Sequence, residues 1–256
     1  MNSLLLDTLF CGRNRIHMTK VDSTNTELKR RLIDETLPEG TTVTCDEQEQ
    51  GRGYSGHVWH SEPGLNVMMS ILLKPTFLQA RFQFYLNQVV TLGLYGVLSQ
   101  YLNGDKLRIK WPNDLMYKDK KICGILIENN VQGNYIQNSI VGVGININER
   151  GWKKKGLPRA ISMRQILKHE INTEEIISRA CTYIEAQYLM LKSGKMEQLQ
   201  EAYMNQLYRV EEKHHYLIQG NKRKAKIVGL NPEGKLVLES KQGFVVCDFK
   251  EIAYVL

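Results

Sequence analysis

Two apolar runs, residues 122–129 and 136–147, flank the turn Gln132-Gly133-Asn134, and this arrangement constrains the fold more than any other feature of the chain. A glycine-bearing turn between two such runs predicts a hairpin. A further strand-like run at 107–111 precedes them, and a buried strand is expected at 65–73, stopped by Lys74-Pro75. Consecutive strands with short turns imply mixed or antiparallel pairing. The hairpin also places glycines inside its apolar runs, Gly124 in one strand and Gly142 and Gly144 in the other. Interior glycines cost β-propensity, so a ligand or a second backbone approaching closely explains them. A bulged core strand is the plain alternative.

Helical spacing accounts for most of the remainder. Asp22-Ser23-Thr24-Asn25-Thr26-Glu27 reads as a helix start, with Thr24 and Glu27 as a capping box and Leu28 and Leu32 on one face. A β-prone run at 41–45 leads into a glycine-rich polar loop at 47–56. Phe82, Leu86, Val89, Val90, Leu94 and Val97 recur as on a core helix spanning 78–102. Two helices, 174–191 and 196–208, are split at Ser193-Gly194. From Lys213 onward, short β-like runs alternate with turns, as in a small barrel. The expected division is a larger unit at 1–211 and a β unit at 212–256.

Composition narrows the function classes. The 256 residues are 42% hydrophobic and 24% charged, ordinary for a globular protein, and no apolar run is long enough to span a membrane. The first residues lack a basic segment and a small-residue cleavage site, so they read as mature protein and not as a signal peptide. Cys11, Cys45, Cys123, Cys181 and Cys247 are scattered without a CxxC pair, which argues against a disulfide framework or a zinc site and for a cytoplasmic setting. The net charge of +7 attracts nucleotides, nucleic acid or acidic proteins without choosing among them. The basic runs at 153–155 and 222–226 are read as solvated loops.

Three more segments carry chemistry. In the loop from Gln48 to Trp59, Gly51, Gly53 and Gly56 allow backbone N–H groups to approach a ligand. Arg52 can grip carboxylate or phosphate, and Trp59 can cover a flat ring. A flexible surface loop with an incidental arginine fits the same residues. Lys110-Trp111-Pro112-Asn113-Asp114 runs a strand into a turn, where sheets often place ligand groups, although turns favour these residues for backbone reasons alone. Lys120-Lys121 leads an apolar strand, either as site charge or as a strand end in water. His57 and His60 receive no role.

In order, Asp-Ser-Thr-Asn, Gly-Arg-Gly-x-x-Gly-x-x-Trp, Lys-Trp-Pro-Asn-Asp, Lys-Ile-x-Gly-Ile-Leu-x-Glu and Gly-x-Gly-Ile-Asn closely resemble the biotin protein ligase family over residues 22–148. Weaker likeness, through Leu157-Pro158 and Ala160-Ile161-Ser162, extends to the terminal β unit. The resemblance implies an α+β fold, a mixed β-sheet flanked by helices of the biotin/lipoate ligase and class II synthetase kind, with a C-terminal SH3-like β-barrel. It implies an enzyme that joins biotin and ATP into biotinyl-5'-AMP and pyrophosphate. Biotin then passes to a lysine of a biotin carboxyl carrier protein domain in a biotin-dependent carboxylase such as acetyl-CoA carboxylase.

By the same resemblance, Ser23, Thr24, Asn25, Gln48, Gly51, Arg52, Lys121, Gly124 and Gly142 hold biotin. Trp59, Asn113, Gly144 and Asn146 hold the nucleotide, and Lys121, Arg52 and Asp114 carry the chemistry. Two anions must meet, which requires fixed positive charge from Arg52, Lys121 and a Mg²⁺ arriving with ATP. No metal-ligand set is assigned, and a homodimer is compatible with the pattern. Two departures matter. Tyr54 and Ser55 stand where many family members have basic residues, which predicts looser retention of the adenylate. About 20 residues precede Ser23-Thr24, too few for the helix-turn-helix domain some relatives carry, so no specific DNA is expected as a partner.

Two rivals remain. A lipoate protein ligase uses the same acyl-adenylate logic but lacks the Gly-Arg-Gly and Lys-Trp-Pro-Asn-Asp pair of motifs. A basic nucleic-acid-binding protein would leave all five motifs unexplained, and its terminal β unit lacks a stripe of stacking aromatics.

Overall fold

The computed structural model describes residues 7–255; the apolar patch at the very start of the chain falls largely outside them. Strands β1 (Arg15–Val21) and β2 (Thr42–Gln48) bracket helix α1 (Thr24–Asp34) and pair in parallel. After them come β3 (Val67–Leu73), α2 (Phe84–Ser99), β4 (Leu107–Lys110), β5 (Asp114–Tyr117), β6 (Lys120–Gln132) and β7 (Tyr135–Ile145). The sheet runs β1-β2-β3-β7-β6-β5-β4, antiparallel beyond its first pair. Helices α3 (Met163–Leu167), α4 (Thr173–Lys192) and α5 (Met196–Asn205) complete the larger unit. Then β8 (Lys213–Ile218), β9 (Asn221–Leu230), β10 (Leu236–Ser240), β11 (Gly243–Cys247) and β12 (Ile252–Tyr254) form a second sheet in the order β11-β10-β9-β8-β12.

The mixed sheet, the β6–β7 hairpin and the terminal β unit are as expected, although the second sheet's pairing leaves β11 and β12 as edges. Two local expectations change, and two strands appear that the sequence reading did not assign. The capping box does not form: Ser23 is the N-cap with no side-chain bond, Thr24 turns to Gln48, and Glu27 pairs with Arg30 and Arg31. Helix α2 starts later than the apolar spacing suggests, because the preceding residues brace the hairpin: Ala80 N–H donates to Asn134 O, and Ile136 N–H to Leu78 O. Strand β1 has a single fully buried residue, Val21, with Ile16 and Met18 partly buried. Strand β5 spans only four residues and begins at Asp114, the last residue of the segment that reads as a turn.

Both faces of the sheet are covered at β3, which is buried throughout. Val67, Met69, Ile71 and Leu73 share a cluster with Leu86 and Leu94 of α2 and Ile184 of α4. Leu72 faces the other way, against Leu28 of α1. Cross-strand partners point to one face. The register therefore aligns Met68, Gly144 and Gly124 in one row on the α1 face, and Ser70, Gly142 and Leu126 in the next. The two units share an apolar core, and Trp111 pins them together: its Nε1 donates to Gly234 O at 2.9 Å, and its ring lies 5.0 Å from that of Phe249. No helix among the described residues is long and apolar enough to cross a membrane.

Helices α2 and α4 touch at Gly93, where an added Cβ would lie 2.8 Å from Ile184 Cα. Helix propensity alone favours alanine there by about 1 kcal/mol. Overlap with backbone outweighs it, since overpacking costs roughly 1–3 kcal/mol. Gly93→Ala is therefore expected to lower the urea unfolding midpoint, and a raised midpoint would contradict the close helix contact.

Candidate active site

The glycine strip is the floor of a cavity of about 40 Å³. Ser23, Thr24 and Asn25 reach it from the start of α1, and Gln48 from the end of β2. Arg52, Tyr54 and Trp59 come from the loop after β2, and Asn113 and Lys121 from the β4–β5 turn and β6. Each floor glycine is closely overlain by a neighbouring side chain. A Cβ at Gly142 would strike the Asn25 amide, one at Gly144 the Trp59 indole, and one at Gly124 would lie 2.8 Å from Lys121 Nζ. Trp59 Nε1 is buried without a hydrogen-bond partner among the described residues, which leaves a donor at the site.

A polar network runs beneath this lining. Gln48 Oε1 accepts from Thr24 N at 2.9 Å and Thr24 Oγ1 at 3.2 Å, so the Gln48 amide has its carbonyl occupied and its NH₂ donors left to present. Ser70 Oγ lies 2.7 Å from Thr24 Oγ1 and 2.6 Å from Asn25 Oδ1. Glu128 Oε2 accepts from Asn25 Nδ2 at 2.8 Å and Arg52 Nη2 at 3.0 Å, while Oε1 takes Lys29 Nζ at 2.6 Å. Lys121 Nζ sits 2.6 Å from Asp114 Oδ1 and over the Trp59 ring at 5.6 Å.

Most of the residues named from sequence meet in this cavity; Gly51, Asp114 and Asn146 do not line it. Gly51 O accepts from Trp59 N, shaping the loop. Asp114 stands behind Lys121 as its ion-pair partner. Asn146 is buried, and its Nδ2 donates to the carbonyls of Lys121 and Ile161, fixing the strand that carries the lysine. Two contributors had no assigned role. Ser70 is the one polar residue in the strand Val67–Leu73, a signal that could have found it. Glu128 closes the motif around Lys121 and lies on the side-chain period of the floor. The described residues contain no group of three or more His, Cys, Asp or Glu able to hold a metal. Asp114 and Glu128 are each engaged by a cation, so neither carboxylate stands free to ligate a metal.

Burial pushes the Glu128 carboxyl up, but hydrogen bonds from Lys29 and Asn25 and the charge of Arg52 outweigh burial and hold it below the usual range. A depressed folded-state pKa gives stability that is present above the unfolded value and lost as pH falls through the folded one. Glu128→Gln is expected to be less stable than the parent at pH 7. The difference should shrink as pH drops below about 4.3, the ordinary glutamate value. Urea titrations across this range check it, and a difference that grows in acid would contradict the ion-pair network.

The site coincides with a family signature. Residues 18–146 match the model of the biotin/lipoate A/B protein ligase family. The chain is 27% identical over 241 residues to the bifunctional ligase/repressor BirA of Bacillus spizizenii, covering 93% of this chain and 73% of that protein. It is 29% identical over 167 residues to the biotin–acetyl-CoA-carboxylase ligase of Paracoccus denitrificans, covering 62% and 67%. The biotin protein ligase from Aquifex aeolicus, solved with biotin and ATP, has the same fold at a TM-score of 0.78 and 24% identity, covering 94% of this chain and 98% of that one. The matched segment contains every residue that lines the cavity, and the chain belongs to the biotin/lipoate A/B protein ligase family.

Proposed function

We propose that the chain is a biotin protein ligase that activates biotin with ATP and transfers it to a lysine of a biotin carboxyl carrier protein domain. The observation that carries this reading is one cavity lined by both neutral hydrogen-bonding groups and two cations. Ser23, Thr24 and Gln48 supply hydroxyls and amide donors suited to a ureido ring, while Arg52 and Lys121 supply charge suited to a carboxylate and a phosphate. The relative named as a biotin–acetyl-CoA-carboxylase ligase supports the same substrate.

The chemistry follows from these groups. A carboxylate oxygen of biotin attacks the α-phosphorus of ATP, and pyrophosphate leaves. Arg52 and Lys121 offset the repulsion between the two anions and stabilise charge on the transferring phosphoryl group. Glu128 and Asp114 hold these cations in place. A Mg²⁺ carried on the nucleotide would supply further charge neutralisation. The acceptor lysine, as the free amine, then attacks the anhydride carbonyl, AMP leaves, and the amine proton is lost to solvent or a nearby base. Trp59 is proposed to stack on adenine, Asn113 and Asn146 to contact the nucleotide, and Asp114 to steer the acceptor amine as well as Lys121. Residues Asn25, Gly51, Gly124, Gly142 and Gly144 shape the space around the substrates. A cytoplasmic setting accords with the five free cysteines.

Labelled biotin and labelled lipoate, each offered with and without ATP, test the reading. ATP-dependent conversion of biotin to its adenylate is expected; conversion of lipoate in its place would assign the other ligase activity. Within the site, Lys121 is partly buried and Lys120 exposed. Lys121→Ala is expected to slow pyrophosphate release by about 10²–10³, the usual effect of removing one preorganised charge. Lys120→Ala should change it by less than about threefold, with circular dichroism as the folding control. A crippled Lys120→Ala, or a normal Lys121→Ala, would move the catalytic charge elsewhere. This chain is also expected to bind DNA only weakly and salt-sensitively. A discrete footprint that tightens with biotin would overturn that expectation.

A further inference from the structure

We propose that Tyr54 and Phe249 form a clasp through which the C-terminal β unit sets the position of the loop over the active site and slows release of the acyl-adenylate; this rests on the ligase reading above. The loop from Gly51 to Trp59 is stabilised internally by backbone bonds, Gly53 N–H to His57 O and Trp59 N–H to Gly51 O at 2.9 Å. Arg52 and Trp59 tie its ends to the larger unit, through Glu128 and through a small apolar cluster with Val21, Cys45 and Met68. Between those ends, Gly53 and Gly56 have no side chains to anchor, and His57 and Val58 are exposed.

Tyr54 supplies a tie to the other unit. Its ring meets that of Phe249 edge to face, with centroids 6.1 Å apart and planes at 82°. Phe249 is itself held by Trp111 at 5.0 Å and Phe84 at 6.0 Å, and Trp111 is pinned to Gly234. Tyr54 therefore rests on an aromatic cluster built from both units. Its position is as informative as its contact. Tyr54 and Asn113 line the central cavity and also a neighbouring one of about 210 Å³ that includes Phe249. The tyrosine ring is thus a shared wall. A loop that opens to release a bound adenylate must separate Tyr54 from Phe249, whereas adenylate formation with the loop in place does not. The contact is made by the ring, so phenylalanine should serve as well as tyrosine, and alanine should not.

The test combines adenylate release with hydrogen exchange on the full chain. An edge-to-face pair contributes a factor of roughly two to ten in an equilibrium constant. Tyr54→Ala is expected to release biotinyl-AMP about two- to tenfold faster in a chase experiment, with Tyr54→Phe releasing at the parent rate. In the unliganded protein, the amides of Gly53 and Trp59 should exchange faster by a similar factor in Tyr54→Ala and not in Tyr54→Phe. Phe249→Leu, which keeps apolar bulk against Trp111 and Phe84, should reproduce the Tyr54→Ala phenotype. Parent-like exchange and release in Tyr54→Ala would overturn the clasp, as would a Tyr54→Phe variant that behaves like alanine. If the parent protein forms no adenylate, the ligase reading fails, and the exchange measurement still decides whether the clasp exists.

Discussion

The register between β6 and β7 sets Gly124 directly opposite Gly144, with Gly142 one row away. On that face Asn25 takes the space above Gly142, Trp59 that above Gly144, and Lys121 bends back over Gly124. Shifting the register by one residue would exchange this face for the one carrying Ile125 and Val143, which are packed in the core. The hydrophobic pattern that drives the sheet together therefore also fixes where a ligand can lie. Both faces of β3 are buried, so the central strands cannot slip without exposing apolar surface.

Charge at the site is arranged before any substrate arrives. Arg52 and Lys121 are 41% and 38% exposed, while their partners Glu128 and Asp114 are 22% and 17% exposed. The carboxylates thus sit deeper and hold the cations toward the cavity. Preorganised charge of this kind lowers a barrier because little reorganisation is needed when the anions meet. Glu128 has a second consequence. One of its oxygens accepts from both Asn25 and Arg52, so the start of α1 and the loop after β2 are tied through a single atom. Ser70 continues the tie to Thr24, and Thr24 to Gln48.

Much of this was legible in the amino-acid order. The turn at Gly133 and the apolar runs around it disclosed the central hairpin, and the interior glycines disclosed where Asn25, Trp59 and Lys121 pack close over the sheet. Motif order disclosed the family, because spacing across five segments carries more information than any one of them. What stayed hidden depends on contacts far apart in sequence. Trp111 lies inside a motif read as ligand-facing, yet it is buried and bonded to Gly234 of the other sheet. Thr24 and Glu27 match a capping pattern, but tertiary partners claim both side chains. Strand β1 was missed because its alternation is short, Ile16 and Met18 between Arg15, His17 and Thr19, and this edge strand is held largely by backbone pairing to β2.

The most direct measurement of the proposed activity is mass spectrometry of a purified biotin carboxyl carrier domain incubated with the full chain, biotin, ATP and Mg²⁺. The expected result is one biotinyl group on one lysine of the carrier, absent when ATP or the chain is omitted. An unmodified carrier under conditions where both proteins are folded would contradict the proposed function.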